Sequence, residues 1–147
     1  MGHILEEARM VLPGIQALFG FQSIAVFNDR FGDLPAYVQV CHVIALLLVV
    51  AAIALVMLPA AYHRLAQPDV VTLHTVKVCS RAICYALAPL AVSIALDLFV
   101  VLHVVIGDIV LDIVMAISSL ILLIGLWFGY PLVSRRRHGY GSTDKGA

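Results

Sequence analysis

Five ionisable residues stand inside, or at the edge of, stretches otherwise too apolar to hold charge: His42, Asp97, His103, Asp108 and Asp112. Ionisable groups in lipid are expensive, and they usually face protein or water. Three chemistries fit these residue types. Imidazoles on two helices can hold a metal ion or a b-type haem, which makes His42 and His103 the candidate cofactor ligands. Carboxylates beside an imidazole can pass protons or ions, which points to Asp97, Asp108, Asp112 and His103. The third reading is structural: the same side chains hydrogen-bond between helices or reach interfacial water. The spacing limits any single-site claim. Asp97 and His103 are six residues apart, hence about 120° apart around a helix, and cannot both point squarely at one neighbour.

The elements that must position these residues are membrane spans. The chain has 147 residues, of which 63% are hydrophobic and 12% charged, too apolar a composition for a soluble domain of this size. Its nine basic and nine acidic residues balance, so charge gives no reason to expect a nucleic-acid partner. Cys41, Cys79 and Cys84 lack a C-x-x-C spacing and read as small packing residues. No cleavable leader is expected, because Glu6 and Glu7 stand where a signal peptide is basic.

Four apolar runs predict an all-α, integral membrane four-helix bundle. Spans are expected at about 10–27, 36–58, 82–106 and 109–132, in a single domain over 1–134, with a polar tail over 135–147. The first run is the weakest, interrupted by Pro13, Gln16, Gln22 and Ser23. Glu6, Arg9, Pro13, Gln16, Gly20, Ser23 and Phe27 recur at three- and four-residue steps and predict an inward polar stripe. Gln39, His42, Ala45, Val49, Ala52 and Val56 predict the inward face of the second span. Asp108, Asp112, Met115, Ser119, Leu122 and Leu126 predict that of the fourth. Asn28 to Pro35 reads as a turn, Gly107-Asp108 as a very short one, and Pro68-Asp69 as the start of a long third helix kinked at Pro89.

With four spans, both termini and the second loop share a side. That side collects Arg9, Arg64, Lys77, Arg81, Arg135, Arg136, Arg137 and Lys145, against Arg30 alone on the other. Such asymmetry predicts cytoplasmic termini. On that side Glu6, Glu7, Arg9, His63, Arg64 and Arg81 can form an interfacial ion-pair cluster. At the opposite end, alternating helix direction predicts His42 and His103 within about one turn of the same depth, near Asp108 and Asp112, with Asp97 about 9 Å deeper than His103. No nucleophile elbow, phosphate loop, Ser-His-Asp set or H-E-x-x-H helix is present, so catalytic residues are not expected.

Two segments, EEARMVLPGIQALFGFQSIAVFNDRF over 6–31 and PAAYHRL over 59–65, resemble a family of uncharacterised bacterial four-span membrane proteins known only as a domain of unknown function. The shared residues are Glu7 and Arg9, Gly14 and Gln16, Phe19 and Phe21, Arg30 and Phe31, then Tyr62, His63 and Arg64. The resemblance implies a bacterial inner-membrane, multi-pass location and no particular activity. Neither His42 nor His103 belongs to its pattern. The sequence thus predicts a small membrane protein with a structural, accessory or binding role, surrounded by lipid, with a second copy or another membrane protein as partner. An electron carrier using His42 and His103 and a small proton or ion transporter using Asp97, His103 and Asp112 stay open. No cofactor is expected, haem b being the one compatible with the histidines. A hydrogen bond from His42 or His103 to a carboxylate, a backbone carbonyl or water is expected instead.

Overall fold

In the computed structural model, residues 2–66 and 73–131 are described, with side chains described over 10–29, 31–61 and 80–131. Four helices carry the fold: α1 (Gly2–Ala25), α2 (Ala36–Ala66), α3 (Leu73–Val105) and α4 (Ile109–Ile124), the last continuing through a π-helical stretch over Gly125–Gly129. A short 3₁₀ turn, Asp29–Phe31, lies between α1 and α2, and no strand occurs among the described residues. Three stretches are long and apolar enough to cross a membrane: Ala36–Ala61, Ser80–Val105 and Ile109–Gly129. The apolar part of α1, Met10–Ala25, is shorter. At 1.5 Å per residue it covers about 24 Å, against a hydrocarbon core of about 30 Å.

Prolines lie inside both α2 and α3. α2 does not end at Leu58; it continues through Pro59 to Ala66. A proline inside a helix removes one backbone donor and bends the axis, and in an apolar setting the remaining hydrogen bonds keep the helix intact. α3 likewise runs unbroken through Pro89. The expected helix start at Asp69 and the tail over 135–147 lie outside the described residues.

Small residues set the central helix pair. α2 turns His42, Ala45, Val49, Ala52 and Val56 inward, each at most 3% exposed, as its three- and four-residue spacing predicts. α3 answers with Ala82, Ala86, Ala91 and Ala95, all buried. Between helices in lipid there is little hydrophobic driving force, so close backbone approach and dispersion carry the contact. Ala52→Leu at this fully buried position is therefore expected to cost about 1–3 kcal/mol by overpacking. A shift in the detergent unfolding midpoint measures it; Ala51→Leu, at an exposed position one residue earlier, is expected to be near neutral.

The outer helices pack by narrower faces than the sequence suggests. On α1 the inward residues are Ile15 and Gln22, flanked by partly buried Val11, Leu12, Leu18 and Phe19. Of the expected polar stripe, Pro13, Gln16 and Phe27 are exposed, and Ser23 spends its hydroxyl on the Phe19 carbonyl of its own helix. That stripe is incorrect because α1 docks on an apolar core, which takes the Ile15 face and admits one polar side chain. On α4 the expected face is mistaken at Met115, Leu122 and Leu126, which are exposed; Ser119 is partly covered, as expected, and so are Ala116 and Leu120 beside it. α4 leans mainly on one neighbour, α3, so only a thin edge of it is buried.

Two loops fix the end of the bundle where α2 begins. The Gln39 amide donates to the Leu34 carbonyl at 2.9 Å, with the Phe31 and Gly32 carbonyls at 3.3 and 3.4 Å, which holds the α1–α2 loop over α2. Gly107 has φ +74°, a conformation that L side chains rarely adopt. It lets three residues, Ile106, Gly107 and Asp108, join α3 to α4. The turn brings Asp112 back beside His103.

Candidate functional site

The polar residues form two centres at successive levels of the bundle, not one. The inner centre joins three helices. From α1, the Gln22 side-chain amide donates to Ser93 Oγ at 3.1 Å and to Asp97 Oδ2 in a short hydrogen bond. Ser93 Oγ in turn donates to the Ala45 carbonyl of α2 at 2.9 Å, so the donors run in one consistent direction. His42 of α2 places Nε2 3.0 Å from the Gln22 backbone carbonyl and Nδ1 3.7 Å from Asp97 Oδ1. Gln22, His42 and Ser93 are each at most 3% exposed.

These contacts determine protons. A carbonyl oxygen only accepts, so His42 Nε2 carries hydrogen. In the neutral ring Nδ1 would then present a lone pair to a carboxylate oxygen, an unfavourable pairing. A proton on Nδ1 or on Asp97 relieves it. The His42–Asp97 pair is held in a knot between α1, α2 and α3. Phe31 packs edge-on against the His42 ring, with centroids 5.2 Å apart.

The outer centre joins α2, α3 and α4. His103 Nδ1 lies 2.9 Å from Asp112 Oδ2, and its Nε2 lies 3.2 Å from the Tyr37 hydroxyl. Phe99, one turn below on α3, stacks on the His103 ring with an interplanar angle of 19°. The burial changes sharply across this set. Tyr37 is 46% exposed, whereas Asp112 is fully buried and its Oδ1 has no hydrogen-bond partner among the described residues. A hydrogen-bonded route thus leads from an accessible hydroxyl, through an imidazole, to an enclosed carboxyl group.

Between the centres lies an apolar layer of Val38, Phe99 and Val100. On the other side of the inner centre, Val49, Ala52, Val56, Ala86, Leu90 and Ile15 form the main apolar core.

The placement of the sequence candidates is mixed. Asp97, His103 and Asp112 all hold polar partners, but in two centres. Asp108 is the N-cap of α4: its Oδ1 accepts from the Val110 and Leu111 amides at 3.0 and 3.4 Å, and its side chain is exposed. His42 and His103 do not share a centre. His42 pairs with Asp97, and His103 with Tyr37, so five residues of α2 and six of α3 separate the two levels, about 7.5–9 Å. α2 starts at Ala36, as expected, and Tyr37 at that end reaches His103. The expected hydrogen bonds of the two histidines to a carbonyl and a carboxylate are present. Both nitrogens of each ring face polar neighbours, so bis-histidine ligation of haem would require those contacts to break. No group of three or more metal-ligating side chains occurs among the described residues. Of the expected ion-pair cluster, Glu6, Glu7, Arg9, His63 and Arg64 have side chains outside the described residues, and Arg81 is exposed. Gln22, Ser93 and Tyr37 are the participants that sequence reasoning did not assign to a site. Gln22 stood out as a polar interruption of an apolar run, but the hydroxyls of Ser93 and Tyr37 are too common in spans to signal anything alone.

Compared with known proteins, the chain matches a family of unknown function (DUF6328) over residues 1–131. The match carries the resemblance of the first two helices through α3 and α4. No curated protein and no solved structure matches the chain.

Proposed function

The chain belongs to this family of unknown function, and from that premise we propose that it is an accessory membrane protein that takes up and releases a proton at Tyr37, His103 and Asp112. The observation that carries this reading is the hydrogen-bonded route from half-exposed Tyr37 through His103 to buried Asp112. An imidazole flanked by a hydroxyl and a carboxyl group is suited to relay protons, since one nitrogen receives as the other gives. Tyr37 is the entry, His103 the relay and Asp112 the acceptor. Exchange occurs from the end where α2 begins and α3 ends.

The same geometry favours proton binding over conduction. The Val38–Phe99–Val100 layer separates the outer centre from the inner one, and the apolar core lies beyond the inner centre. A proton or ion moving across the bundle would meet two apolar layers. The electron-carrier reading is weaker, because both histidines have other work to do.

We further propose that the membrane is the bacterial inner membrane, with the relay on its outer side. Support comes from the basic residues, eight of nine of which fall on the side of the termini. A reporter fused after Ala147 is expected to be active only in the cytoplasm; activity only in the periplasm would reverse the orientation. For the relay itself, the test uses liposomes containing the full chain and an impermeant pH dye on either side of the membrane. An acid jump on the relay side is expected to give rapid proton uptake that Asp112→Asn removes. Uptake unchanged by Asp112→Asn, or steady proton flux across the membrane, would contradict the proposal.

A further inference from the structure

An apolar groove of about 300 Å³ runs along α3 between α2 and α4; Cys41, Leu96, Phe99, Ala116 and Leu120 are among its walls. Its register against the outer centre is regular. Cys41 follows Tyr37 by four residues on α2, Phe99 precedes His103 by four on α3, and Ala116 follows Asp112 by four on α4. Residues four apart share a helix face, and the helices alternate in direction. Each member of the polar set therefore stands one turn above a wall of the groove, at the same end.

We propose that groove and polar set together form a binding site for a single-chain lipid alcohol, with its hydroxyl at Tyr37 and its chain along α3. The volume is at the lower end of the range for small-molecule sites, about 300–1,000 Å³, and suits one chain. The hydrogen-bond inventory selects the head. When His103 is neutral and gives its Nδ1 hydrogen to Asp112, its Nε2 accepts from the Tyr37 hydroxyl. What remains at this end is acceptor capacity: the Tyr37 oxygen lone pairs, and Asp112 Oδ1, which has no partner among the described residues. A ligand head must therefore donate. A hydroxyl does so, whereas a fatty carboxylate or a phosphate offers only acceptors and a negative charge near Asp112. Tyr37 is the accessible member, so the head docks on it, and Asp112 acts through His103. The inference uses the geometry of these three residues but not their proton uptake.

The test uses the full chain in phospholipid nanodiscs and hexadecanol bearing a diazirine in its chain. Irradiation is expected to label peptides that contain Cys41, Phe99 or Ala116. Unlabelled hexadecanol should compete at least about tenfold better than hexadecanoate or hexadecyl phosphate, the cost of one lost polar hydrogen bond. Tyr37→Phe should weaken competition by hexadecanol about tenfold, and Ala116→Phe should abolish labelling by filling the groove. Leu120→Trp repeats the block if Ala116→Phe does not fold. Equal competition by all three heads, or labelling indifferent to Tyr37→Phe, would overturn the proposal and leave an ordinary phospholipid chain in the groove. Labelling that behaves as expected while Asp112→Asn leaves proton uptake intact would instead contradict the proton-uptake reading.

Discussion

Asp97→Ala is expected to destabilise the protein by about 3 kcal/mol. The carboxyl group accepts from Gln22 and faces His42, and both partners are almost fully enclosed. Removing it strands an imidazole nitrogen and an amide hydrogen in an enclosed place. The penalty for leaving buried polar groups unsatisfied is about 1–3 kcal/mol each, and more when a charge loses its partner. Interhelical hydrogen bonds in membranes are worth less, about 0.6 kcal/mol on average by double-mutant cycles, because the unfolded helices also find partners. The stranded groups, not the lost bonds, therefore dominate the expectation. Detergent-induced unfolding followed by circular dichroism measures the effect. Asp97→Asn, which keeps an acceptor toward Gln22, should cost less than Asp97→Ala. Asp108→Ala, which removes an exposed helix cap, should cost about 1 kcal/mol. An Asp97→Ala protein no less stable than the Asp108→Ala protein would show that the knot does not hold α1 in place.

Asp112→Ala is expected to act mainly on function. It removes the proton acceptor and leaves His103 Nδ1 without its 2.9 Å partner. Proton uptake from the Tyr37 side should vanish. The stability loss should be smaller than at Asp97, about 1–2 kcal/mol, since His103 keeps Tyr37 and can turn toward the exposed rim. Tyr37→Phe should leave the fold near its wild-type stability and slow uptake, because the imidazole then has no hydroxyl through which to exchange. Stopped-flow recording of the dye signal separates the two outcomes: loss of amplitude for Asp112→Ala, loss of rate for Tyr37→Phe.

The sequence displays the fold more openly than it displays the site, for physical reasons. Long apolar runs and the alanine spacing of α2 are one-dimensional signals, and the inward face from His42 to Val56 follows from them. The outer helices are harder, because which face turns inward depends on how many neighbours a helix has. α4 has chiefly one, so Asp112 is buried while Met115 and Leu122, on the same expected stripe, face outward. For the site, the ionisable residues announce themselves by being costly in lipid, and Asp97, His103 and Asp112 were legible on that ground alone. Their partition into two centres was not. It depends on which residues of α2 and α3 stand opposite each other, and that register is set by the packing of α2 on α3. Tyr37 and Ser93 become functional candidates only once that register is known.

The most direct measurement of the proposed function is an infrared difference titration of the full chain in lipid nanodiscs, read at the carboxyl C=O stretch. The proton-uptake account requires a carboxyl band that changes with pH, is lost in Asp112→Asn and persists in Asp97→Asn. No pH-dependent carboxyl band, or one that is lost in Asp97→Asn and persists in Asp112→Asn, would contradict it, since the outer centre would then not be where the proton resides.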